Sequence, residues 1–323
     1  MIPLQVALAA LLATAPAPSG TSPTPRSFSS GPLPAAAAPP SLPLRANFSP
    51  LEMAVAVGVA AGGLFLMSVG NLVVDPPSPR LGAPGADSLE ARLSRQLHLG
   101  GSNRLFWRIP DRLGLVLPAV PLAFYAVDSL ALWGSGSSLF LPQDGNPHHR
   151  LMAYVEAMGF TFMATGIVKY AVGRPRPYTA AGNDLQGLRS RRSEDNLSFF
   201  SGHASTTFAM GAFVAEDLSR TVRRLGLGDT PFDRVMLGTV LPYGLGYGLP
   251  ALVSVSRLID QQHWPSDVLV GALCGVAISR LTYALHFDAE GRPRRRRGLS
   301  GGLTPAPLPG AAGGFALVYS GRL

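Results

Sequence analysis

The chain has 323 residues, 47% of them hydrophobic and only 14% charged, where soluble globular domains carry about 25% charged residues. That deficit points to a membrane protein or a densely buried helical one, with one core domain plus tails. The net charge of +8 is no nucleic-acid footprint: much of the excess lies in one run, "RPRRRR" at Arg292–Arg297, without interleaved aromatics or a zinc or helix-turn-helix pattern.

In chain order, residues 1–15 form an apolar run ending in small residues and read as a signal peptide or an apolar N-terminal segment, although no basic residue precedes the run. Residues 16–48 are rich in Pro, Ala and Ser and read as a disordered linker. A helical domain is expected over residues 49–287, followed by a tail over 288–323 that is basic, then Gly/Pro-rich, and closes in one candidate strand, "GGFALVYSGRL".

Six apolar segments make up the helical domain: Leu51–Val74, Leu113–Trp133, Leu151–Val172, His203–Leu218, Val235–Val255 and Pro265–Leu285. Most approach the roughly 20 residues that cross a bilayer. The fold class is therefore all-α, a bundle of about six mostly transmembrane helices. The second segment holds Pro118, Pro121 and Asp128 and should be kinked or shielded. The fourth is short, with Ser205, Thr206 and Thr207 near its start and Glu216 and Asp217 near its end, as suits an interior helix. Cys274, the sole cysteine, reads as packing inside the sixth.

The connector 75–112 is long and includes an amphipathic stretch, "SLEARLSRQL". His148-His149, lacking a third ligand at a recognisable spacing, read as a solvated helix start rather than a metal site. Glu156 and Asp128 read as paired buried charges. If all six segments span, connectors 173–202 and 256–264 share one face, while 219–234 and the basic tail share the other. The positive-inside rule then puts the first pair outside.

The polar motifs gather on that outer face. The third segment ends in "KYAVGRPRP", Lys169 to Pro177; the fourth begins with "FSGHAS"; "SRLIDQQHWPSD", Ser256 to Asp267, joins the fifth to the sixth. Of 27 basic residues Lys169 is the only lysine. Lys169, Arg176 and Arg257 supply three cations, and the arginine fork suits two phosphate oxygens. Ser201 and Gly202 stand where a helix starts, so their N–H groups can face an oxyanion. Pro265 suits a first helical position, which places Asp267 in the first turn, its carboxylate reaching back to one nitrogen of His263 and leaving the other free to attack. Arg174 and Tyr178 flank the first motif as further candidate substrate contacts.

These residues resemble the type 2 phosphatidic acid phosphatase superfamily, which includes class A bacterial acid phosphatases and vanadium haloperoxidases. Its signature, K-x6-R-P, P-S-G-H and S-R-x5-H-x3-D, corresponds to Lys169…Arg176-Pro177, Ser201-Gly202-His203 and Ser256-Arg257…His263…Asp267, with Phe200 replacing the first proline of the second motif. The resemblance covers residues 150–285 and implies a metal-independent phosphatase without cofactor. His263 would form a phosphohistidine, Asp267 would hold its ring, and His203 would protonate the leaving group and later activate water. Lys169, Arg176, Arg257, Ser201 and Gly202 would bind the phosphate. With the apolar segments, the implied partners are the membrane and a lipid phosphate or diphosphate, and the implied location is the bacterial inner membrane with the site facing the periplasm. A soluble periplasmic acid phosphatase acting on small phosphomonoesters is the alternative, and vanadium-dependent haloperoxidase chemistry a third reading. The oligomeric state is left open.

Overall fold

The structure, a computed structural model, describes residues 50–73, 80–97, 104–135, 147–180, 195–294, 302–307 and 315–320, with Phe48 and Ser138. The candidate signal peptide, most of the linker and Arg295–Arg297 lie outside the described residues. The helices are α1 Pro50–Val73, α2 Leu89–Leu97, α3 Arg104–Val116, α4 Ala119–Ser135, α5 Pro147–Val172, α6 Pro177–Ala180, α7 Gly202–Leu225, α8 Pro231–Val235, α9 Leu241–Ile259 and α10 Pro265–His286. A π-turn, Met236–Val240, joins α8 to α9. In the tail the expected strand exists as β2, Phe315–Ser320, paired antiparallel with β1, Gly302–Pro307, from Gly302 opposite Ser320.

The boundaries follow local chemistry. Leu117 and Pro118 separate α3 from α4, the break expected from proline. The Pro118 carbonyl accepts from the Tyr154 hydroxyl at 2.6 Å, so the interrupted backbone keeps a partner. α7 starts at an N-cap, Ser201, and ends at Gly226, whose φ of 64° is the left-handed conformation that glycine adopts without strain. α9 runs four residues beyond the apolar segment, to Ile259, so Ser256 and Arg257 belong to its last turns rather than to the connector. Both are buried in protein, and interior positions need not be apolar.

Among the described residues, five stretches are long and apolar enough to cross a membrane: Leu51–Ser68, Arg112–Ser135, Pro147–Thr179, Pro231–Ile259 and Pro265–His286. α7 lies at the centre, packed against α5, α9 and α10, with its Ser205, Thr206 and Thr207 buried. It is the interior helix its polar start announced. α10 shows the inversion expected in lipid. Leu269, Leu273, Leu281 and Leu285 are 60, 61, 63 and 54% exposed, while Asp267, Gly271, Gly275, Ser279 and Thr282 face inward. Apolar side chains facing lipid gain nothing by associating, so helices join there through small residues that allow close packing.

Gly271 and Gly275 provide that packing against the start of α7. A Cβ at Gly275 would lie 2.1 Å from the Ser205 carbonyl oxygen, and one at Gly271 would lie 2.7 Å from that of Ser201. This approach brings the first turn of α10 beside the cap of α7. At the other end of the bundle, Tyr125, Tyr154, Phe213, Tyr283 and Phe287 form the aromatic core. There Asp217 accepts from Arg150 Nε at 2.9 Å and from the hydroxyls of Tyr125 and Tyr283 at 2.9 and 3.2 Å. Glu156 pairs with His286 at 2.8 Å, and Asp128 accepts from Ser138 at 2.7 Å. His149 corrects the solvated-start expectation: it is buried against Phe48, His286 and Phe287, partners remote in sequence, and His148 bonds Ser129.

Candidate active site

The three motifs meet at one end of the bundle. Lys169 lies in the last turn of α5, Ser201, Gly202 and His203 at the start of α7, Arg257 in the last turn of α9, and Asp267 in the first turn of α10. Direct bonds join the segments. The Ser201 N–H donates to the Asp267 carbonyl at 3.0 Å, linking the second motif to the third, so this N–H is engaged within the protein rather than facing an oxyanion as the sequence suggests. The Trp264 indole donates to the Pro175 carbonyl at 2.8 Å, linking the third to the first. Residues 195–198 run along the first motif: Arg176 N–H donates to the Asp195 carbonyl at 2.9 Å, and Ser198 N–H to that of Arg174 at 3.0 Å.

That rail places the Ser198 carbonyl against His263. Nδ1 of the imidazole is 2.8 Å from this oxygen. A carbonyl only accepts, so Nδ1 carries the proton and the lone pair sits on Nε2. The bond expected from Asp267 is not made, since its Oδ2 stands 3.9 Å from Nδ1. The reason is local. Oδ2 caps its own helix by accepting from Trp264 N–H at 2.9 Å and also accepts from the Ser198 hydroxyl, while Oδ1 takes Arg174 Nη1 at 2.5 Å. The carboxylate thus acts beside the ring as a fixed charge and holds the Ser198 segment. Burial pushes the imidazole pKa down to about 3, with the Arg176 and Lys169 cations adding to the effect and Asp267 opposing it. His263 is therefore neutral at physiological pH.

Arg176 and Lys169 lie near enough to this ring to act on its charge. Arg176 is buried and donates to the Gln262 side chain. Arg257 is buried and pairs with Asp260 at 2.9 Å. The Lys169 chain lies beside Gly202, its Cε 3.9 Å from where a Cβ would stand. At Gly202 that Cβ would also lie 2.6 Å from Met67 Cε, so α1 walls the cap of α7. His203 is half-buried, and its ring packs on Gly114 of α3, where a Cβ would come within 2.6 Å of Cδ2. Tyr178 donates to Asp195 at 2.9 Å. Arg174 is buried between Asp267 and Glu90, which makes it a structural cation rather than the substrate contact considered from sequence.

Ser198 and Glu90 are the two participants that motif reading missed. A backbone carbonyl carries no sequence signal. Glu90 did have one: an acid in the first turn of the amphipathic stretch, on a connector that the topology puts on the site's face.

Residues 150–290 match the PAP2 superfamily. The chain is 32% identical over 163 residues to a probable lipid phosphate phosphatase 4 of Arabidopsis thaliana, covering 43% of this chain and 48% of the relative. It is 32% identical over 166 residues to phospholipid phosphatase 1 of Rattus norvegicus, covering 43% and 56%. It is 31% identical over 136 residues to a lipid A 1-phosphatase of Porphyromonas gingivalis, covering 41% and 23%. The chain spans about half the length of the first two of these curated relatives. No solved structure matches it significantly. The similarity to the PAP2 superfamily, the type 2 phosphatidic acid phosphatases, covers residues 150–290, where the three motifs converge.

Proposed function

We propose that the protein is an integral membrane phosphatase that removes phosphate from lipid phosphates or diphosphates through a phosphohistidine. One observation carries the reading: three segments remote in sequence are bonded into a single cluster, with a neutral imidazole oriented by Ser198 beside the buried cations of the first motif. The five apolar stretches and the lipid phosphatase relatives support a lipid substrate. They weigh against the soluble alternative.

In the first step Nε2 of His263 attacks phosphorus, a P–N bond forms, and the P–O bond to the lipid breaks. His203, protonated, gives its proton to the departing alkoxide. The positive charge on the His263 ring is stabilised by the Ser198 carbonyl and by the Asp267 charge. Lys169, Arg176, Arg257, Ser201 and the Gly202 N–H stabilise the phosphoryl oxygens. In the second step His203 takes a proton from water, whose oxygen attacks phosphorus and releases phosphate and neutral His263. The positive-inside count, a sequence argument, puts this face outside, which sets the proposed site at the outer leaflet of a bacterial inner membrane.

A substrate panel in detergent with EDTA tests this. Phosphate release from phosphatidic acid, phosphatidylglycerol phosphate or undecaprenyl diphosphate is expected, with nearly all of it lost in His263→Ala. Undiminished turnover in that variant refutes the reading. Release of the protein from membranes by carbonate wash returns the soluble alternative.

A further inference from the structure

The connector ahead of the second apolar segment brings to the site a side chain that none of the three motifs contains. Glu90 stands in the first turn of α2. Its Oε1 accepts from the Ser266 N–H at 3.0 Å and from the Ser266 hydroxyl at 2.5 Å. Its Oε2 accepts from Nη2 of Arg174 at 3.0 Å. The other terminal nitrogen of Arg174, Nη1, reaches Asp267 Oδ1 at 2.5 Å and Ser266 Oγ at 2.6 Å. The guanidinium also lies over the Trp264 ring, 5.7 Å from its centroid.

One cation is thus shared by two carboxylates, which leaves the trio with a net negative charge behind His263. A second contact fixes the same face of α2. One turn on, the Ser94 carbonyl accepts from Gln261 Nε2 at 2.6 Å, and the Ser94 hydroxyl donates to Gln261 Oε1 at 3.2 Å. α2 therefore lies on the short loop that carries His263.

We propose that Glu90 is a positioning residue for phosphoryl transfer. By holding one arm of Arg174 it keeps the other on Asp267, fixes the first turn of α10, and screens the charge of Arg174 from the phosphate pocket. The proposal rests on the phosphatase reading above. In Glu90→Gln the pocket gains positive charge. A bound phosphate dianion is then held more tightly, while the cationic phosphohistidine and the transition state leading to it lose support.

The test uses the full chain in detergent with phosphatidic acid as substrate and inorganic orthophosphate as inhibitor. In Glu90→Gln, kcat is expected to fall about tenfold while orthophosphate inhibits about threefold more tightly. Glu90→Asp, which keeps the charge but retracts it, is expected to lose about threefold in kcat with orthophosphate inhibition unchanged. Ser94→Ala removes an uncharged contact of the same face and should leave orthophosphate inhibition at the wild-type value. Wild-type kcat and inhibition in Glu90→Gln overturn the proposal. So does weaker orthophosphate inhibition that falls in parallel with kcat and is matched by Ser94→Ala, the pattern of a mere brace. If Glu90→Gln does not fold, Glu90→Asp decides, and wild-type kcat in it overturns the proposal. Full turnover in His263→Ala sinks the phosphatase reading itself. A dead His263→Ala beside an unaltered Glu90→Gln sinks this inference alone.

Discussion

Nδ1 of His263 lies 2.8 Å from the carbonyl oxygen of Ser198, and the nearest Asp267 oxygen stands 3.9 Å from the same nitrogen. The tautomer is therefore set by backbone and the charge by the side chain. These two duties separate under mutation.

Asp267→Asn removes the charge but leaves the Ser198 carbonyl in place. Where a carboxylate alone fixes the tautomer, such a change costs about 10⁴ in kcat. Here the expected loss is roughly 100-fold with little change in KM, measured by steady-state phosphate release. A loss as deep as that of His263→Ala would return the tautomer to Asp267.

Burial, together with the Arg176 and Lys169 cations, holds the His263 pKa near 3, against 6.5 for a free imidazole. A depressed value means that the neutral form persists as pH falls through the usual imidazole range. Protonation of the folded site comes only near pH 3. Nitrogen-15 histidine spectra in detergent should therefore show the His263 ring as the neutral Nδ1–H tautomer from about pH 8 down to about pH 5. A ring that titrates near 6.5 contradicts the buried, cation-flanked placement.

Helix packing makes a stability prediction independent of chemistry. A Cβ at Gly211 on α7 would lie 1.8 Å from the carbonyl oxygen of Gly246 on α9, a backbone atom that cannot step aside. Gly211→Ala should destabilise the protein by about 3 kcal/mol, the upper end for overpacking. Gly58→Ala on α1, with nothing within 4 Å, should be neutral or slightly stabilising. Thermal unfolding in detergent separates the two.

At the far end of the bundle, Asp217→Asn removes the carboxylate charge that pairs with the buried Arg150 guanidinium. The expected cost is about 3–5 kcal/mol of stability. The KM of the fraction that remains folded should be unchanged. A shift in KM would tie this cluster to the substrate.

Much of the bundle was legible because hydropathy reports lipid exposure, and five of the six apolar segments coincide with stretches long and apolar enough to cross a membrane. The interior character of α7 was legible from Ser205–Thr207, and the α3–α4 break from Pro118. The motif residues were legible because their spacing puts each at a helix end. What escaped depends on contacts remote in sequence. His149 is buried by Phe48 and His286, and Glu90 meets Arg174 across 84 positions. A helix's third residue can reach back to an imidazole nitrogen, as the sequence suggests for Asp267, yet here the same reach serves the Trp264 N–H.

The most direct test of the central claim is to trap the covalent intermediate. Protein turning over a lipid substrate with radiolabelled phosphate, in EDTA and quenched in alkali, should carry acid-labile, alkali-stable phosphate on His263. The label should vanish in His263→Ala. Turnover without label on His263, or label that survives in His263→Ala, contradicts the account.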